Sequence, residues 1–130
     1  MDNFRENYFV AREIVAQELI QKYNLVESYK DDDRLTLDST NYSIHLTFNI
    51  PEGENITVSE KGREPGYGRS FMDMVFQKYP ERNDMIIFLK DLFDNIEQYD
   101  YTTKTIKKKL IKKTQFIENQ FPEYFKTTNI

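Results

Sequence analysis

Over the first two dozen residues the apolar positions Phe4, Tyr8, Ala11, Val15 and Leu19 recur in steps of three and four, with Val10, Ile14 and Ile20 widening the stripe. That period puts these side chains on one face and predicts an amphipathic helix from Phe4 to Tyr23. Asp2 or Asn3 is placed to cap it, because a short side-chain acceptor satisfies an amide that the first turn leaves unpaired. Asn24 to Tyr29 fits either a continuation of the helix or the start of an extended segment.

Beyond Asp31-Asp32-Asp33 the period changes from 3.6 to 2. Leu35 and Leu37 alternate with Thr36 and Asp38. Tyr42, Ile44, Leu46, Phe48 and Ile50 alternate with Ser43, His45, Thr47 and Asn49, and Ile56 and Val58 alternate with Thr57 and Ser59. Three strands are predicted, each with one apolar face. The connections Ser39-Thr40-Asn41 and Pro51-Glu52-Gly53-Glu54 are short and rich in turn formers, so neighbours pair as an antiparallel meander with the middle strand central.

Lys61 to Arg69 holds three glycines and a proline and predicts a loop. Ser70, followed by Asp73, is a capping-box variant opening a helix from Phe71 to Tyr79, which Pro80 stops. Asn83 or Asp84 caps the next helix, with Met85, Phe88, Leu89, Leu92, Phe93, Ile96 and Tyr99 as its stripe. A last helix runs from about Thr102 to Gln120 on Ile106, Leu110, Ile117 and Phe121, and Pro122 ends it. Residues 1–130 thus read as one α+β domain: an N-terminal helix, a three-stranded antiparallel meander, then three C-terminal helices packed on one sheet face.

Composition narrows the chemistry. The chain has no cysteine, which removes disulfides, thiolate metal sites and thiol catalysis. With no nucleotide motif or metal-ligand spacing, no cofactor and no metal is expected. The longest apolar run, Met85 to Leu89, is far below the roughly 20 residues that span a bilayer. Nor do the first residues show a cationic and apolar leader, so a soluble, cytoplasmic protein is expected. Charge is uneven: residues 1–103 hold 11 basic and 20 acidic side chains, and residues 104–130 hold 7 basic and 2 acidic.

Four segments are candidate sites. The polar sheet face, including His45 and Thr47, offers short hydrogen-bonding side chains to a partner, although an exposed face is polar in any case and the plainer reading of His45 is a surface histidine. The glycine loop offers Tyr67 as a contact anchor and Arg63 and Arg69 as anion holders; its plainer reading is a connection whose glycines supply positive φ. Asp31, Asp32 and Asp33 form an acidic turn without EF-hand spacing. Lys104, Lys108 and Lys112 share a helical face, with Lys109 and Lys113 beside them, a stripe that can meet phosphates or water.

The residues point first to a non-enzymatic protein-binding module. In size and charge the chain resembles bacterial immunity and antitoxin-type inhibitors. That resemblance implies steric blockade of a partner protein, with acidic groups steering the encounter. Asp31, Asp32, Asp33, His45, Thr47, Arg63, Tyr67 and Arg69 are the contact candidates. The alternative is nucleic-acid binding through Lys104, Lys108, Lys109, Lys112 and Lys113, against which the acidic pI of about 5.1 weighs. Ranked third is an enzyme acting on a small anion at the glycine loop, with Glu60 or Glu64 as base.

Overall fold

In a computed structural model, which describes residues 3–49, 53–97 and 100–127, helix α1 (Phe4–Tyr23) has the expected bounds. The Asn3 side chain accepts from the Glu6 amide at 3.0 Å, and Asn24 ends the helix in the left-handed region. Its buried face differs from the expected stripe. Val10 and Ile14 are exposed, whereas Arg12 is fully buried. The Arg12 guanidinium reaches past the helix to donate to the Asp31 carbonyl at 2.8 Å and lies 4.7 Å from the Phe9 ring centroid. A long stem and a flat, weakly hydrated head let arginine occupy such an interior position.

The sheet has five strands, not three, in the order β1-β2-β3-β4-β5, all antiparallel. The three expected strands are β2 (Arg34–Asp38), β3 (Tyr42–Asn49) and β4 (Gly53–Glu60), the last beginning at Gly53 rather than Ile56. The ambiguous segment after α1 is edge strand β1 (Val26–Lys30), all five of whose residues are exposed. At the other edge β5 (Arg69–Ser70) pairs with Thr57 and Val58, so the end of the expected glycine loop is a short strand.

Leu35, Leu37, Ile44, Leu46, Ile56 and Val58 form the buried apolar face of the sheet. Helix α4 (Thr103–Gln120) lies with α1 over that face; Lys22 of α1 bonds Glu118 of α4 at 2.9 Å, and the Tyr23 hydroxyl bonds the same carboxylate. Thr102 caps α4 by accepting from the Thr105 amide. Helix α2 (Phe71–Lys78) opens with the expected capping box, in which Ser70 and Asp73 each satisfy the other's amide. It buries Phe71, Met74 and Val75.

Helix α3 (Arg82–Leu92) departs from expectation. Its N-cap is Glu81, not Asn83 or Asp84, and it buries no residue. It rests on the body through partly buried Met85, Phe88, Leu89 and Leu92, with the Phe88 ring against Tyr79 and Phe116. The helix stops before Ile96, and Tyr99, expected on its stripe, lies outside the described residues, as do Asp2 and Ile50. A 3₁₀ turn (Pro122–Phe125) then buries Tyr124 and Phe125. Among the described residues no helix is long and apolar enough to cross a membrane.

Candidate functional site

Strand register places Thr36, His45 and Thr57 side by side, with Asp38, Ser43 and Ser59 in the next row. This is the polar face expected to meet water. Instead Thr36, Ser43, His45, Thr57 and Ser59 are buried. The glycine loop folds back over them and is bonded down: the Gly62 amide donates to Ser43 Oγ at 3.0 Å, and Ser59 Oγ donates to the Arg63 carbonyl at 2.8 Å. Short hydroxyl side chains can exchange water for a backbone segment, so a polar face need not be an exposed one.

His45 is accordingly not a surface histidine; it is 2% exposed. Its Nδ1 lies 2.8 Å from Thr36 Oγ1 and its Nε2 2.8 Å from Ser59 Oγ. Because Ser59 spends its proton on the Arg63 carbonyl, its oxygen accepts from Nε2–H. That assigns Nδ1 as the acceptor from Thr36, a neutral imidazole with both nitrogens satisfied. Burial, reinforced by the nearby Arg34 charge, pushes the His45 pKa down to about 4. His45 is a buried strut beneath the loop.

The loop's glycines have different reasons to be glycine. Gly62 adopts φ +85°, as expected for a connection of this kind. Gly68 does not have positive φ; a Cβ there would stand 2.6 Å from the Val58 carbonyl oxygen, so close packing on β4 excludes a side chain. Pro65–Tyr67 forms a 3₁₀ turn that lifts Tyr67 into solvent, 74% exposed. The Arg63 guanidinium lies 5.4 Å from the Tyr67 ring centroid.

A second tyrosine–arginine pair comes from β1 and β2. Arg34 stacks 3.9 Å from the centroid of half-exposed Tyr29, whose hydroxyl donates to Asp31 at 2.6 Å. Tyr29 stands opposite Thr36 on the same sheet face as the loop, and Glu64 of the loop is near enough for its charge to act on the Tyr29 phenol. Sequence spacing gave no sign of Tyr29 and Arg34, since the strand carrying Tyr29 shows no alternation of burial.

The remaining contact candidates are scattered. Asp31 closes the β1–β2 turn by accepting from the Asp33 and Arg34 amides, and with the Tyr29 hydroxyl as the largest influence these bonds hold its carboxyl below the usual range. Asp33 pairs with Arg5, and Asp32 is exposed. Arg69 donates to the Tyr124 hydroxyl at 2.7 Å and lies 5.2 Å from the Phe121 ring centroid, whereas Arg63 lies by Tyr67.

Thr47 belongs elsewhere, to a cleft of about 640 Å³ along the part of β4 that β5 leaves uncovered. Phe71, Met72, Leu89, Phe93 and Ile96 supply its apolar lining, with the Phe71 and Phe93 rings in edge-to-face contact. Asn49, Asn55 and Glu54 lie at the strand edge, and Lys90, Lys109 and Lys113 bring positive charge. Glu54, 3% exposed, sits opposite Phe48 and shares the helix-facing side of the sheet. Lys113 Nζ donates to the Glu54 carbonyl at 2.6 Å and meets its Oε1 at 3.4 Å, while Oε2 has no hydrogen-bond partner among the described residues. Burial pulls the Lys113 ammonium below its usual pKa, only partly offset by the Glu54 charge.

The lysine stripe is therefore divided. Lys104 and Lys108 are exposed and Lys112 is half-buried, but Lys109 and Lys113 turn inward to the cleft. Two signals in the chain mark this site. Lys113 continues the spacing Ile106, Leu110, Ile117 as a core position, and Glu54 continues the alternation of Ile56 and Val58 one step back. Among the described residues no group of His, Cys, Asp and Glu is placed to hold a metal. Comparison of the chain with family models, curated proteins and solved structures gives no match.

Proposed function

We propose that this protein is a non-enzymatic recognition module that binds a partner protein, in the manner of an immunity- or inhibitor-type protein, through the glycine loop and the adjoining end of the sheet. The observation that carries this reading is Tyr67: a 74% exposed aromatic side chain on a loop bonded to the sheet through Ser43 and Ser59. Tyrosine and arginine are enriched among residues that dominate binding energy, and a contact already held in place loses little freedom on docking. Arg63, Tyr29 and Arg34 enlarge that surface, and the net charge of −4 favours encounter with a basic partner. For nucleic acid the support is weaker, because two of the five lysines proposed for it face the cleft.

Purification from native lysate at low salt, followed by native mass measurement, tests the assignment. A stoichiometric protein companion is expected with the wild type and with Gly66→Ala, and its retention is expected to fall at least about tenfold with Tyr67→Ala. A companion held equally by Tyr67→Ala and Tyr29→Ala, a nucleic-acid companion, or an unaccompanied chain overturns it.

A further inference from the structure

Helix α3 is attached to the body differently from the other three helices. α1, α2 and α4 each have a side-chain N-cap and bury three or more residues, whereas α3 has neither a side-chain cap nor a buried residue. What holds α3 is apolar and partial: Met85, Phe88, Leu89 and Leu92 pack against the core without being enclosed by it, and the Phe88 ring centroid lies 4.6 Å from that of Tyr79 and 5.2 Å from that of Phe116. Ile87 of the same helix is 66% exposed. Among the described residues none of its charged side chains, Arg82, Asp84, Lys90 and Asp91, forms an ion pair with the body. A segment with so few enclosed contacts opens at lower free energy than the core it rests on.

Both ends of α3 suit such an opening. Pro80, between α2 and α3, has no amide to tie the connection down, and Asn95, just beyond α3, breaks the helical path with φ 62°. Leu89 and Lys90 of α3 and Phe93 at its end line the cleft along β4. Movement of α3 therefore changes the mouth of that cleft and uncovers the rings beneath it, Phe71 and Phe116, which are buried when it is closed. We propose that α3 is a lid on the cleft: it detaches as a unit, about Pro80 and Asn95, while the sheet, α1 and α4 stay folded. Its 11 residues are fewer than the roughly 12–15 that a helix needs to persist alone in water, so detachment frees its amides to exchange.

Native-state hydrogen exchange of the whole chain tests this. Amides of residues 86–92 are expected to share one protection factor and to exchange at least about 100-fold faster than those of residues 107–117 in α4. Their rates are expected to change little up to about 1 M urea, because opening a lid exposes far less surface than unfolding the chain. Val15 is buried in α1; Val15→Ala weakens the global fold and is expected to speed exchange in α4 about tenfold while leaving α3 at its wild-type rates. Exchange of α3 in step with α4, a steep urea dependence, protection graded from one end as in fraying, or parallel acceleration of α3 and α4 by Val15→Ala overturns the proposal. The urea series on the wild type decides even if Val15→Ala does not fold. No partner protein enters the measurement, so its outcome is separate from that of the recognition surface.

Discussion

His45 gives the sharpest test of how the polar sheet face is built. The imidazole is buried and neutral between Thr36 and Ser59, with its pKa at about 4 against an ordinary 6.5. Between those two values the unfolded chain holds a proton that the folded chain does not, so stability rises with pH across the interval. This contribution is present in full above pH 6.5 and is lost as pH falls towards 4. At about 1.4 kcal/mol per pH unit, the loss is about 3 kcal/mol. His45→Gln is neutral throughout and removes that dependence, at the expense of imperfect bonding to Thr36 and Ser59. Urea unfolding of both proteins from pH 7.5 to pH 4 is the assay. The wild type is expected to be more stable at neutral pH by about 1–3 kcal/mol, and that advantage is expected to shrink by about 3 kcal/mol in acid. Carboxylates titrate in both proteins and cancel in the difference. The chain has one histidine, so its ring C–H resonance reports the same proton directly. A midpoint near 6.5, or a stability difference indifferent to pH, would refute the buried, neutral imidazole.

Other substitutions probe the neighbouring contacts. Gly68→Ala places a Cβ 2.6 Å from the Val58 carbonyl oxygen and is expected to lower unfolding free energy by about 2 kcal/mol or more, whereas Gly66→Ala meets nothing within 4 Å and is expected to stay within about 0.5 kcal/mol of wild type; urea midpoints decide. Lys113→Met leaves the buried Glu54 carboxylate without its cation and is expected to destabilise by about 3–5 kcal/mol. Adding Glu54→Gln to Lys113→Met is expected to restore much of that loss, and a strictly additive double variant would show that the pair is not coupled.

What the amino-acid pattern revealed depended on whether an element carries its own periodicity. Helix α1 and the core strands β2 and β3 do, because each has a continuous apolar face, and the Ser70–Asp73 box is a local motif. Strand β1 has no buried residue to alternate, and its register shifts between Glu27 and Tyr29, so nothing in VESYK separates an edge strand from a fraying helix. Strand β5 is two residues defined by the partner they find. The polar rows containing His45 read the same whether water or a loop completes their hydrogen bonds. For the cleft, the central pair Glu54 and Lys113 lie 59 positions apart, beyond any spacing rule. Only their places within apolar patterns marked them, as charged residues at positions whose neighbours are core.

Strand β4 connects these features through its pleat. Successive side chains point to opposite faces, so Thr57 and Ser59 face the glycine loop while Glu54, Ile56 and Val58 face the helices. A one-residue slip of register would send Glu54 to the loop side and Ser59 into the apolar core, disrupting both sites at once. Two backbone groups on the stretch that β5 does not pair are bonded to side chains. Lys113 occupies the Glu54 carbonyl, and the Asn55 side chain accepts from the Ile56 amide at 2.9 Å. With those backbone groups satisfied, an added strand would gain little there. The cleft at this edge is therefore lined by side chains, among them Phe71, Leu89 and Glu54 with its unpartnered Oε2. The loop, on the opposite face, presents tyrosine and arginine. The alternation that sorts apolar from polar residues in β4 thus also sets Glu54, bonded to Lys113, and Ser59, bonded to the glycine loop, on opposite faces of the sheet.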